Sequence, residues 1–230
     1  MIKYAFEGTV IILGILLSFY IEELRLEKKN IELKNEILIN LTRNIDEDLT
    51  QISIIKDILQ IAKKNIDEIH NDIDSGHALL SDEEVVTKLM DIEIGISFIP
   101  RDGIYNELIS TGSFQLINNE ALKSHLLEVY NHQKERNYSV SKVIDEYVLV
   151  YKSEILQKFS IKLNHLIGEM EFYGKPEVRD FKFNKDYYLS GHFIGNNTYA
   201  KTFADSYLSF MRETEASYRE LLILCNEELS

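Results

Sequence analysis

The chain holds one cysteine, Cys225, two prolines, Pro100 and Pro176, and no tryptophan. A lone thiol excludes an intramolecular disulfide, which fits a reducing compartment. On a helical face such a thiol reads as a small packed hydrophobe. Scarce proline removes the commonest helix breaker and favours long uninterrupted helices. No Gly-rich phosphate loop, HExxH pair or CxxC pair occurs, and no strained nucleophile elbow. The expectation is therefore a protein that is not an enzyme and carries no cofactor or metal. An excess of positive charge is also missing. Lys and Arg number 25 against 38 Asp and Glu, a net charge of −13. That argues against a surface that coats nucleic acid, because such binding neutralises phosphates with Lys and Arg. A local basic site is not excluded.

The six histidines are scattered. His125 and His132 lie seven apart on one helix face but have no third or fourth ligand nearby. His70 and Asp74 read as a solvated helix end. The stretch DIDSGHALLSDE sets Asp72, Asp74 and Glu83 at positions one, three and twelve of a calcium loop, yet places His77 where that loop needs glycine and Gly76 where it needs an oxygen ligand. Calcium is not expected.

What is present begins at the start of the sequence, with KYAFEGTVIILGILLSFYIEELRLEKKN. No residue from Gly8 to Ile21 is charged. A helix from Ile2 to Ile21 would be ~30 Å long, about the thickness of the hydrocarbon layer. Tyr4 and Phe6 at one end, with Phe19 and Tyr20 at the other, stand where interfacial aromatic belts would lie. SFYIEEL offers no small-residue cleavage site, so a removed signal peptide fits poorly. The expectation is a transmembrane helix over 1–21. Arg25, Lys28, Lys29 and Lys34 follow the run closely, and only Lys3 and the amino terminus precede it. The positive-inside rule then puts residues 22–230 in the cytoplasm of a bacterial inner-membrane protein. Glu7, Ile11, Gly14 and Ser18 fall on one helical stripe. Gly14 and Ser18 make a small-xxx-small pair, and a carboxylate at the membrane edge should face a partner or water rather than lipid. This stripe predicts a homo-oligomer, whether as a helix seam or as the lining of a pore.

Beyond the run, Leu24, Ile31, Leu38, Ile45, Ile52, Leu59, Ile66 and Ile73 recur every seven residues. Leu41, Ile55, Ala62 and Ile69 add the +3 partners, while Glu27, Lys34 and Asp48 interrupt that second row. No Gly or Pro falls between Ser18 and Ser75. The spacing predicts one stalk helix over 22–74 with a coiled-coil or bundle seam, followed by a cytoplasmic helical bundle over 75–230. Ser75 and Gly76 end the stalk. Ser81 and Glu84 form a capping box for a helix over about 82–94. Ser97 to Arg101 is a turn, Asp102 caps a short helix, and Gly112 stops it. A long helix starts at Asn118 or Asn119 and runs to about Leu163. A final helix carries the stripe Tyr207, Met211, Tyr218, Leu222, Cys225 and Leu229. The fold class is all-α.

Two segments carry a resemblance. The first is ILGILLSFYIEE with the charged heptads after it. The second is IYNELISTGSFQLINNEALKSHLLEVYN, with Tyr105, Glu107, Leu108, Ser110, Gly112, Leu116, Asn119 and Leu122 at the matching positions. Together they span about a third of the chain and resemble an uncharacterised family of small bacterial single-span membrane proteins with a cytoplasmic helical domain. The plan is also similar to that of anti-phage membrane effectors such as the Hailong channel, which a single-stranded DNA signal holds closed. The resemblance implies an architecture and no catalytic residues. It implies the lipid bilayer, further copies of the chain, a nucleotide or single-stranded DNA signal and a defence-operon protein as partners.

One stretch near 173–190, YGKPEVRDFKFNKDYY, is turn-rich and aromatic. Lys175, Arg179, Lys182 and Lys185 interleave with Phe181, Phe183, Tyr187 and Tyr188. Cations beside aromatics could neutralise phosphate and stack bases. Glu177, Asp180 and Asp186 dilute the charge, and an ordinary loop with inward aromatics and solvated lysines explains the same pattern. Two functions stand: a ligand-gated, ion-conducting membrane effector of anti-phage defence, or a membrane-anchored scaffold or sensor subunit that recruits a protein without conducting.

Overall fold

The computed structural model describes residues 2–166 and 175–229, and of these the side chains of residues 2–6, 9, 10, 165, 166, 175 and 176 are not described. The fold is all-α with one small hairpin. Helix α1 runs unbroken over Ile2–Asp74. It is followed by α2 (Asp82–Met90), α3 (Gly103–Ser110), a 3₁₀ turn (Ser113–Leu116), α4 (Glu120–Leu127), a π-helical turn (Glu128–Gln133) and α5 (Lys134–Lys158). Strands β1 (Lys162–Leu166) and β2 (Lys175–Asp180), the short α6 (Lys185–Tyr188) and α7 (Gly191–Leu229) complete the chain. The strands pair antiparallel, Leu163 opposite Val178, with a bulge after Lys162.

Local chemistry sets the boundaries. At the end of α1, Gly76 and His77 adopt left-handed backbone angles in succession, φ 74° and 65°. The Ser81–Glu84 capping box forms as expected. Helix α2 stops at Met90, four residues short of expectation, and 92–102 lies in no helix, strand or turn, including Ser97 to Arg101, where a turn is expected. Asp102 makes no side-chain cap bond. Gly112, at φ 75°, ends α3, and Asn119 caps α4 by accepting the Leu122 N–H at 3.1 Å. The long helix expected to Leu163 ends at Lys158, where Ser160 turns left-handed at φ 48° and the chain enters β1.

The chain divides into two compact units. The first comprises residues 1–47, 101–130 and 218–230. Its core joins Leu38, Leu41 and Ile45 of α1 to Leu108, Leu122, Leu126, Leu221 and Cys225, all buried. Tyr105 stacks on Tyr130 at 4.7 Å. Lys34, which seemed to break the apolar row, is buried and ion-paired with Glu228 at 2.6 Å. Glu228 also accepts the backbone N–H groups of Asn118 and Asn119, both at 2.9 Å. Burial pushes the Glu228 pKa up, but Lys34 and these two donors outweigh it and hold the carboxyl below its usual range.

The second unit comprises residues 48–100 and 131–217. Ile52, Ile55, Leu59, Ala62, Ile66 and Ile69 extend the heptad row and are all buried. The segment around Phe98 passes through this core. The Phe98 N–H donates to Tyr207 Oη at 2.9 Å, Asn137 donates to the Phe98 carbonyl at 2.6 Å, and Tyr207 donates to Asn137 at 3.0 Å. A non-helical strip can thus cross a helical core with its backbone groups satisfied.

Candidate functional site

The two sequence-derived sites fall in different units. In the first unit, Glu7, Ile11, Gly14 and Ser18 lie along α1. Glu7 and Ser18 are exposed, and Ile11 is 62% exposed. A Cβ added at Gly14 would meet no atom within 4 Å. Ser18 Oγ donates to the Gly14 carbonyl at 2.9 Å, so the hydroxyl is turned into its own helix. Nine large apolar side chains from Ile11 to Ile21 are between 51% and 70% exposed. They occupy every face of the helix. Among the described residues, no helix is long and apolar enough to cross a membrane.

In the second unit the basic-aromatic stretch divides. Lys175 has a side chain outside the described residues. Arg179, on β2, lines a cleft of about 550 Å³ against α2, among Glu83, Asp91, Glu177 and Asp180. Lys182 and Lys185 line a different cleft of about 530 Å³, together with Lys158 at the end of α5, Ser160 and Asp186. Lys182 is tied down through its backbone N–H, which donates to the Phe159 carbonyl at 2.8 Å. Lys158 was not foreseen. It lies 24 positions before Lys182 in the sequence, and only the left-handed turn at Ser160 brings the two together. Its Nζ stands 5.4 Å above the Tyr187 ring.

The aromatic residues turn inward. Tyr188, a candidate for stacking on a base, instead takes the inward place of an ordinary loop: it is fully buried and donates to Asp72 Oδ2 at 2.8 Å. Tyr187 is half-buried against Phe159 and Phe193, at 5.6 and 5.4 Å. Burial, then the nearby Glu154, raises its pKa. Phe183 stacks on His77 at 4.8 Å. The reason is energetic: a large ring gains more from burial, about 1.5–3 kcal/mol, than from a contact available only when a ligand is bound.

Phe183 and Tyr188 lead to a polar network that sequence reasoning saw only as a defective calcium loop. His77 donates from Nδ1 to Asp72 Oδ2 at 2.6 Å and from Nε2 to Asp82 Oδ1 at 2.8 Å. Both ring nitrogens face carboxylates, so the ring is held as imidazolium. Burial alone would lower the His77 pKa, but its bonds to Asp82 and Asp72 outweigh that and raise it. Asp72 also accepts the Leu79 and Leu80 N–H groups at 2.7 and 2.9 Å. Burial pushes Asp72 upward, and His77, these N–H groups and Tyr188 together bring it down to about 2. Among the described residues, no group of three or more His, Cys, Asp or Glu is placed to hold a metal. The network fastens the last turn of α1 to the loop before α2 and to the segment bearing Lys182 and Lys185. In the cleft itself, Lys158, Lys182 and Lys185 outnumber Asp186, a balance suited to an anion.

Comparison with protein-family models, with curated proteins and with solved structures finds no match.

Proposed function

We propose that the protein is an oligomeric, single-span membrane effector of bacterial anti-phage defence, a ligand-gated ion-conducting channel. Its first 21 residues lie in the inner membrane and the rest in the cytoplasm. One observation carries the reading: nine large apolar side chains on all faces of α1, from Ile11 to Ile21, lie more than half exposed. Each large aliphatic side chain left in water forgoes about 1.5–3 kcal/mol, and a helix apolar all round calls for a core or a bilayer. The charge-free run of 8–21 alone spans ~21 Å, and residues 2–7 extend it to ~30 Å. Glu7, Gly14 and Ser18 would then face the pore or the helix seam. The ligand would sit in the cleft of Lys158, Lys182 and Lys185, and a nucleotide or single-stranded DNA suits its charge. Such a ligand gates only if it binds two arrangements with unequal affinity.

The test is ion flux from liposomes holding the purified full chain, with and without oligonucleotide or nucleotide. Flux that Gly14→Leu abolishes and Glu7→Ala alters in selectivity is the expected result. Absence of flux under every ligand condition would remove the channel reading. The exposed Tyr138, Val143, Leu149 and Val150 on α5 favour a second reading. In it the anchored bundle recruits a defence-operon protein without conducting. Stable capture of that protein, together with tolerance of Gly14→Leu, would support this alternative.

A further inference from the structure

The face of α1 that is buried at Lys34, Leu38 and Leu41 continues toward the amino terminus after its cover ends. Glu23, Leu26, Glu27, Asn30 and Ile31 fall at i, i+3, i+4, i+7 and i+8 of that face. With Leu116 of the 3₁₀ turn they line an open groove of about 520 Å³ within the first unit. Leu26 and Ile31 are 49% and 44% exposed there. Both charged residues of this face are carboxylates. At 100° per residue, Arg25, Lys28 and Lys29 lie on the opposite side of the same turns, with Glu32 among them and Glu22 beside them, so this back carries three cations against two carboxylates. Their in-chain partners are exposed and weakly held: Arg25 with Glu22 at 3.0 Å and Lys28 with Glu32 at 3.8 Å.

A helix with an acidic, apolar front and a basic back complements itself head to tail. Front against front would set Glu23 and Glu27 against their own copies. We infer that the groove is occupied by the basic back of the same segment, residues 22–33, in a neighbouring copy, and that repetition closes a cyclic ring of α1 helices. This contact is heterologous, the kind that builds rings where its rotation closes, and open arrays otherwise, rather than two-fold dimers. Ile31 belongs to the heptad row that Leu38 and Ile45 continue in the core, so the neighbour extends a seam that already exists. The inference rests on the oligomeric reading above and names the surface that makes the oligomer.

Thiol cross-linking of the full chain in liposomes tests it. A disulfide demands one narrow Cα separation and orientation, so a short bismaleimide, which tolerates a wider range, is the probe, in a Cys225→Ala background. A chain carrying both Glu27→Cys and Lys29→Cys should give a covalent ladder beyond dimer, and each single-cysteine chain should give none. Adding Glu23→Lys should abolish the ladder. Adding Arg25→Glu and Lys28→Glu to that variant should restore it. No ladder from the double-cysteine chain, or dimers from Glu27→Cys alone, overturns the head-to-tail ring. Flux without the ladder defeats this inference only, and a ladder without flux defeats only the channel.

Discussion

His77 is the residue on which most of the second unit's polar chemistry converges. Its left-handed backbone costs about 1–3 kcal/mol, which the two carboxylate bonds offset. Folding raises its pKa, so the ring contributes stability below about pH 6.5, and that contribution drains away as pH rises through the folded value. Asp72 acts in the opposite sense. Held at about 2 in the folded state, it contributes above about pH 4 and fails as pH falls toward that value. The contribution of this pair to the thermal stability of the full chain in detergent should therefore be greatest in the mildly acidic range and decline on the alkaline side, with the half-buried His70, whose pKa is lowered, acting in the opposite sense. His77→Asn tolerates the left-handed angle but carries no titrating ring, and it should flatten the alkaline decline and also shrink the acid limb, because His77 is one of the groups that hold Asp72 low. Melting temperature against pH for both proteins checks this, and an unchanged alkaline slope in the variant refutes it.

Among the elements, α1 shows what a sequence can disclose and what it hides. The row from Leu38 to Ile69 was legible because seven-residue spacing is a property of one helix. The capping box at Ser81, the stop at Gly112 and the cap at Asn119 were legible because their partners lie within a few residues. Lys34 and Asp48 looked like interruptions, yet both are buried. The partner of Lys34 is 194 positions away in sequence, a distance no local pattern registers. The same limit hid the junction of Lys158 with Lys182. It also hid the acceptor that fixes the inward Tyr188, because Asp72 stands 116 positions earlier. The basic-aromatic composition was readable, whereas the side each ring takes depends on tertiary packing. A buried pair with one partner removed leaves an uncompensated charge, which costs about 3–5 kcal/mol. Glu228→Gln should lower stability by about that amount by denaturant titration, and Lys34→Met combined with it should recover most of the loss. A single variant within about 0.5 kcal/mol of the parent would contradict the structural weight given to the pair.

Across the whole molecule, the first unit is assembled from three separated pieces of chain, and its last piece, residues 218–230, supplies Tyr218, Leu221, Cys225 and Glu228. The second unit lies wholly between Asp48 and Ser217. A chain cut after Ser217 should keep the far-ultraviolet helix signal of the second unit. It should also bind a hydrophobic dye through the uncovered Ile37, Leu41 and Leu126, and a truncated chain with no extra dye binding would contradict that division. During synthesis the consequence is one of order. The portion nearest the proposed bilayer cannot close until residues 218–229 have left the ribosome, so the seat of a neighbouring copy is completed only after the second unit's whole length has been made.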